Sequence, residues 1–260
     1  MHIAELTQPG AWLDYADREW CQRVEGLLSG LESSLANVAV ALMLFEKEMA
    51  RPRRRPSMSE RDADYARERA IESELGKAAG LNPESLFHDD AIRLQARIAL
   101  KREKWAAGEL PREYEHSLVF MHARSFVYAL DRLRKLLKAL LELPDVPDAV
   151  RAAEGDLLMA FPSLVGVRDS VAHFEDRSRG LGRDKKPLEL GSVDNEIMKA
   201  DGGVLLLENL IDNRFTTAMA DGSQGEVEIS LKSLQAAQRA VQATLDSFRW
   251  RGEPRHMPGY

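Results

Sequence analysis

Cysteine is almost absent from this chain of 260 residues, which contains only Cys21. One thiol cannot form an intramolecular disulfide or supply a cysteine-rich zinc cluster. Such sparse use of cysteine is typical of proteins in a reducing compartment, and we expect a cytoplasmic location. Cys21 lies in a helical pattern, and we interpret it as a buried thiol without a catalytic role.

Long apolar runs are also missing. The longest, VAVALMLF at residues 38–45, is much shorter than the roughly 20 residues that cross a bilayer. The N-terminal stretch MHIAELTQPG lacks the basic start and the apolar segment of a secretory signal peptide. We therefore predict a protein that does not associate with a membrane.

The chain has no excess of positive charge. It carries 36 Lys and Arg against 42 Asp and Glu, a formal net charge of −6, which argues against indiscriminate coating of nucleic acid. A local basic site remains compatible with this balance. The sequence also lacks a glycine-rich phosphate loop, a G-x-S-x-G elbow and an H-E-x-x-H motif, so it predicts no cofactor.

Candidate metal ligands are sparse as well. Glu113 and His116 have the one-turn spacing that is found in di-iron helical bundles. Such a centre needs a second copy of the pair from another helix, and the only other match, Glu253 with His256, flanks Pro254. We predict no metal site.

Helical periodicity is the main feature that the sequence does contain. Apolar residues recur at intervals of mainly three and four over residues 17–49, which predicts a helix with one buried stripe. The prolines of RPRRRP, residues 51–56, end this helix. The same run is a basic patch, for which a charged connector between helices is the alternative interpretation. The stripe consists of Val24, Leu27, Leu28, Leu31, Leu35, Val38, Leu42 and Phe45.

Capping signals predict where the following helices begin and end. Ser57 and Glu60 have the spacing of a capping box, which opens a second helix that extends to about Gly80. Asn82 and Pro83 have the cap and first-turn roles of a third helix, which Gly108 closes. Pro111 begins a fourth helix, the segment LPDVPDAV at residues 143–150 breaks the chain and begins a fifth, and Pro162 begins a sixth, which carries residues 167–180.

The pattern changes after Gly180. A glycine-rich loop is followed by VLLLEN, RFTTAMA and EVEIS, which predict a small antiparallel β-meander, and then by a last helix. The predicted fold is therefore all-α, an up-and-down helical bundle with a β-meander inserted before the last helix. Its parts are a bundle over 1–180, a loop and meander over 181–230, a packing helix over 231–250 and an irregular tail over 251–260.

One segment, VRDSVAHFEDRSRG at residues 167–180, carries a candidate for chemistry. Asp169 and His173 share a helix face, so the carboxylate can orient the imidazole and leave its other nitrogen free to move a proton. Arg168 points about 140° away from His173 around the helix axis. The N–H groups of its planar guanidinium can donate two hydrogen bonds to one phosphate. The alternative is a solvated face on which Asp169 and His173 merely pair.

An imidazole and a guanidinium are sufficient for RNA cleavage without a metal. One group takes the proton of the 2′-hydroxyl, and the other stabilises the charge that grows on the phosphorane oxygens. The two side chains have to meet for this, either within one subunit or through the same segment of a second subunit.

The segment R-D-S-V-A-H resembles the R-x4-6-H motif of the HEPN superfamily (higher eukaryotes and prokaryotes nucleotide-binding). In that family a polar residue commonly follows the arginine, as Asp169 does here, and the motif lies on a late helix of a helical bundle. The resemblance covers residues 15–180 and the last helix. It implies homodimers that bring two motifs together and, in many members, metal-independent ribonuclease activity. Arg168 and His173 would then be the catalytic pair and Asp169 the supporting residue.

A basic run, RSRGLGRDKK at residues 177–186, adjoins the motif. It can act as an electrostatic cradle for an RNA backbone, and an ordinary solvated loop is the equally good alternative. The candidate RNA-binding side chains are Arg177, Arg179, Arg183, Lys185 and Lys186.

Two functional hypotheses follow. The first is a homodimeric, metal-independent endoribonuclease or RNA-binding module of a defence or toxin–antitoxin type, with RNA and an antitoxin-like or regulatory protein as partners. The second is a non-catalytic helical module for protein interaction or regulation, motivated by the acidity of the chain and by the β insertion.

Overall fold

The computed structural model describes residues 2–52, 56–191, 193–194, 199–200 and 203–259. Residues 53–55 of the RPRRRP patch therefore lie outside the described residues, as does part of the predicted loop before the meander. The chain forms two compact units, Met1–Met49 with Leu118–Tyr260, and Ala50–Ser117. It is mostly helical, as predicted, with a small antiparallel sheet near the C-terminus.

The helices in chain order are α1 Arg18–Met49, α2 Met58–Ala78, α3 Pro83–Phe87, α4 Asp90–Ala106, α5 Arg112–Leu141, α6 Asp148–Ala160, α7 Leu164–Ala172, α8 Phe174–Ser178 and α9 Leu231–Ser247. The strands are β1 Leu6–Gln8, β2 Trp12–Leu13, β3 Val193–Asp194, β4 Lys199–Ala200, β5 Asn209–Ile211, β6 Arg214–Ala218, β7 Gln224–Glu228, β8 Trp250–Arg251 and β9 Arg255–Met257.

The core of the larger unit is made by the apolar faces of α1, α5, α6 and α9. The predicted stripe of α1 is buried, except that Leu27 is half-buried. Helix α6 packs on α9, which also contacts α1. Cys21 lies among these buried residues, as expected.

One described helix, α1, is long and apolar enough to cross a membrane. Its most apolar window has a mean hydropathy of 1.6, and 44% of that window is buried in the structure. Length and composition of this kind are weak evidence, because the buried core helix of a globular protein has the same properties. The absence of membrane association stays a prediction.

The smaller unit contains α2, α3, α4 and the start of α5, and α2 packs on α4. The capping box at Ser57 and Glu60 is formed, and the side chain of Asn82 caps α3 as predicted. The single helix that was predicted to extend from Pro83 to Gly108 is nevertheless divided. Asp89 accepts hydrogen bonds from the first backbone N–H groups of α4, and this new cap begins a second helix.

The tail was predicted to be irregular, and this prediction was wrong, because the tail contributes to two strands. Strand β9 pairs antiparallel with β1, and β8 pairs with β2, so the two termini of the chain are joined. Gln242 of α9 fixes β1 through two amide hydrogen bonds with the backbone of Thr7, both of 2.8 Å. Short strands whose partners lie more than 230 residues away leave no local sequence signal.

The predicted meander is present as an antiparallel sheet in the order β5-β6-β7. Its first strand overlaps the predicted segment VLLLEN only at the last residue, Asn209, and continues to Ile211. Helix α7 packs on β6 and β7, and the backbone at Gly166 approaches the sheet so closely that a Cβ there would lie 2.2 Å from the Met219 Sδ. The meander therefore positions the helix that carries the motif.

Gly10 tests the pairing of the terminal strands. A Cβ at this buried position would lie 2.7 Å from the carbonyl oxygen of Arg251 and 2.8 Å from the Cβ of Trp250. We expect Gly10→Ala to lower the free energy of unfolding by about 1–3 kcal/mol, because backbone must move. Gly26→Ala is the control, since nothing lies within 4 Å of that position. Denaturant unfolding that shows no difference between the two variants would contradict the pairing.

Candidate functional site

The motif segment folds as two short helices and not as the one helix that was predicted. Helix α7 ends at Ala172, and α8 begins at Phe174. His173 lies between them with φ −117° and ψ 42°. Its N–H closes the last turn of α7, while its carbonyl accepts hydrogen bonds from the N–H groups of Asp176 and Arg177. His173 is therefore the residue at which the chain changes direction between α7 and α8.

The imidazole of His173 is exposed and nearly free of partners. Its side chain is 59% exposed, and Nδ1 lies 3.9 Å from the Glu175 Oε1. The pairing that was predicted with Asp169 is not made, because the Asp169 carboxylate lies 2.8 Å from Nη1 of Arg168 instead. Within one chain, His173 and Arg168 share no hydrogen bond or ion pair.

Two carboxylates hold the guanidinium of Arg168. Nε lies 2.9 Å from Oδ2 of Asp131, and Nη1 lies 2.8 Å from Oδ1 of Asp169. Nε is buried and its contact with Asp131 lacks hydrogen-bond geometry, so this contact is an ion pair. Nη2 has no partner among the described residues and is not among the buried, unpaired atoms, so one edge of the fork remains available.

Asp131 of α5 is the anchor of this arrangement, and the sequence pattern did not identify it. Its carboxylate is 3% exposed and accepts hydrogen bonds from Nε and Nη2 of Arg134 at 3.1 and 3.0 Å. The Nζ of Lys135 lies 2.8 Å from its second oxygen. Asp131 lies between the buried Leu130 and Leu133, and a carboxylate among the apolar residues of α5 is the signal that could have revealed it.

The electrostatics of Asp131 favour its charged form. Burial acts to raise the pKa of this carboxyl, but the hydrogen bonds from Lys135 and Arg134 and the positive charge of Arg168 outweigh that effect. The pKa of Asp131 therefore lies below its usual value. Asp131 remains an anion at neutral pH and holds Arg168 against α5.

Arg177 requires a correction to the predicted set of RNA-binding residues. Its side chain is buried, at 4% exposure. It donates to the Ser170 Oγ and to the carbonyl of Leu181, and so joins α7 to the following loop. A guanidinium that is used in this way is not available at the surface for a phosphate.

The rest of the basic run forms a fixed turn and not a glycine-loosened loop. Gly182 donates to the carbonyl of Lys186 at 2.7 Å, and Arg183 donates from its backbone to Ala220 at 3.2 Å. Asp184 and Lys185 adopt left-handed conformations, with φ of 56° and 58°. Such backbone persists only where its surroundings hold it.

The charged side chains of this turn point outward. Arg183, Lys185 and Lys186 are exposed, and Arg179 is exposed but paired with Asp176 at 2.6 Å. Four of the five predicted RNA-binding residues therefore lie at the surface, and three of them belong to the turn. Their binding role stays a prediction.

One group of candidate metal ligands occurs among the described residues. The ligand atoms of His173, Glu175 and Asp176 lie within 4.8 Å of one another. Asp176 is already paired with Arg179, and His173 and Glu175 are both exposed. Nothing beyond this proximity points to an ion, and the prediction of no metal site stays a prediction.

Comparisons with protein-family models, with curated proteins and with solved structures give no match to this chain. The resemblance to the HEPN superfamily therefore stays a prediction from the sequence motif R-x4-H.

Substitution of Asp131 tests its role as the anchor. We expect Asp131→Ala to lower the free energy of unfolding by about 1–3 kcal/mol, because it removes the acceptor and counter-charge of two partly buried guanidinium groups, those of Arg134 and Arg168. Asp169→Ala removes the other carboxylate that pairs with Arg168. Because the Asp169 side chain is 42% exposed, this variant should lower the free energy of unfolding by less than about 1 kcal/mol. Chemical denaturation of both variants measures the difference, and equal losses would show that Asp131 is not the anchor.

Proposed function

We propose that this protein is a HEPN-type, metal-independent endoribonuclease that acts as a homodimer. One observation carries the proposal. A guanidinium that is fixed by Asp131 and Asp169, with no partner for Nη2 among the described residues, lies five residues before an exposed imidazole at a helix break. A guanidinium that is held in place and an imidazole that can accept a proton are sufficient for the transesterification of RNA.

The chemistry assigns one step to each residue. His173 takes the proton of a ribose 2′-hydroxyl, and the 2′-oxygen forms a bond to the adjacent phosphorus. The bond from phosphorus to the 5′-oxygen breaks, and that oxygen takes a proton from solvent. The products are a 2′,3′-cyclic phosphate and a 5′-hydroxyl. Nη2 of Arg168 donates to a non-bridging oxygen, on which negative charge grows in the transition state.

A dimer explains why the pair does not meet within one chain. Asp131 holds Arg168 against α5, while His173 points away from the break between α7 and α8 with no partner other than Glu175 among the described residues. Arg168 of one subunit and His173 of a second copy complete the site when the two motif segments face each other across a twofold axis. The composite site is part of the proposal.

The basic turn supplies the route for the substrate. Arg183, Lys185 and Lys186 are exposed on backbone that is hydrogen-bonded to itself and to Ala220. Cations on a backbone that is held in one conformation bind a phosphate backbone with a smaller loss of conformational entropy than cations on a flexible loop. We place this activity in a cytoplasmic defence or toxin–antitoxin setting, in which an antitoxin-like protein restrains it.

The second hypothesis, a non-catalytic interaction module, is favoured by the same ion pairs. Arg168 is engaged by two carboxylates, and a structural arginine needs no other function. Purified protein that neither binds nor cleaves RNA, but binds one defined protein partner, would support this hypothesis over the nuclease.

His173 provides the direct test of catalysis. We expect His173→Ala to keep the fold and to lower the rate of RNA cleavage in EDTA by about 100-fold or more, because the general base is removed. Glu175→Gln is the matched control, since it changes the exposed neighbour at 3.9 Å and leaves the imidazole in place. Electrophoresis of RNA treated with each protein gives the rates. Cleavage by His173→Ala at the wild-type rate would exclude His173 as the base.

The basic turn is tested through the salt dependence of binding. Replacement of Lys185 and Lys186 by Gln should weaken RNA binding and reduce the slope of log K against log salt by about 1 for each cation that no longer neutralises a phosphate. Arg179→Gln is the control, because this arginine is already paired with Asp176. Fluorescence anisotropy at several salt concentrations measures the slope. An unchanged slope in the double variant would remove the turn from the RNA route.

A further inference from the structure

The smaller unit contains a cavity that the proposed nuclease activity does not use. It has a volume of about 280 Å³ and lies among the side chains of α2 and α4. Its lining is polar and carries both charges. The lining residues are Tyr65, Glu68, Arg69, Glu72, Arg93 and Arg97.

Glu72 is a buried carboxylate with unused hydrogen-bonding capacity. Its side chain is 5% exposed, and its only hydrogen bond among the described residues comes from Nη1 of Arg69, at 3.3 Å. Oε1 therefore has no donor from the described part of the chain. A buried carboxylate is stable when N–H groups surround it, so the cavity presents a vacant acceptor at this point.

Arg97 presents the opposite charge in an exposed part of the cavity lining. Its Nε donates to Oε1 of Glu68 at 3.0 Å, while its Nη groups have no partner among the described residues. Its side chain is 59% exposed. The exposed ring of Tyr65 adds an apolar surface, and Arg69 holds its hydroxyl at 3.1 Å.

We propose that this cavity binds a small molecule with N–H donors at one end and an anionic group at the other. The donors bind Glu72, and the anion binds the Nη groups of Arg97. A ligand with a negative charge alone would be repelled by the carboxylates of Glu68 and Glu72. A ligand with a positive charge alone would be repelled by the three guanidinium groups of the lining. The volume is at the small end of ligand sites, which limits the ligand to the size of an amino acid or a mononucleotide.

A nucleotide and an amino acid both have this combination of groups. Titration calorimetry with the whole chain of 260 residues distinguishes between the two ligands. The probes are guanosine 5′-monophosphate, with ring N–H donors and a phosphate, and L-glutamine, with an ammonium and a carboxylate. Guanosine supplies only the N–H donors, and inorganic phosphate supplies only the anionic group. We expect one of the two probes to bind with a Kd below about 1 mM, and each half to bind at least about tenfold more weakly.

Variants locate the binding. Glu72→Gln and Arg97→Gln should each weaken the bound probe by about tenfold or more, because each removes a charge-assisted hydrogen bond. Arg97 is exposed, so its variant reports on binding even if Glu72→Gln unfolds the unit. Arg67→Gln is the control, since it breaks the comparable pair with Glu103 at 2.7 Å outside the cavity lining.

Two results would overturn the proposal: neither probe binds, or Arg97→Gln binds the probe as tightly as the wild type does. His173→Ala should bind it normally, so this site and the proposed nuclease site succeed or fail separately.

Discussion

A buried negative charge on α5 is the constraint on which the site depends. The Asp131 carboxylate is 3% exposed and would be unstable without counter-charges, and Arg134, Lys135 and Arg168 supply them. Two of these cations come from the next turn of α5, whereas Arg168 comes from α7. The ion pair therefore joins two elements that are far apart in the chain and fixes the direction of the motif arginine.

The surroundings of α7 extend this constraint to the basic turn. Gly166 allows α7 to lie directly against Met219 of the meander, and Arg177 joins α7 to the backbone at Leu181. The turn that follows is hydrogen-bonded to Ala220, so the meander supports both the helix and the exposed lysines. The imidazole of His173 is exposed, at 59%, and Glu175 lies 3.9 Å from it, so its ring can reach a substrate.

Local patterns account for most of the helices. The spacing of apolar residues located α1, and the caps at Ser57 and Asn82 were correctly identified. Features that depend on distant partners were missed. Asp131 and Arg177 are charged residues whose burial is decided by tertiary packing, and the terminal strands pair across almost the whole chain. The break at His173 is set by local hydrogen bonds that the helical pattern of the segment did not reveal.

A double-mutant cycle between Asp131 and Arg168 tests the central claim most directly. The free energies of unfolding of the wild type, both alanine variants and the double variant give the coupling between the two side chains. The structure predicts a coupling of about 1–3 kcal/mol, because either residue alone leaves the other with an incomplete network. Effects that add to within about 0.5 kcal/mol would contradict the claim that this ion pair holds the motif arginine in place.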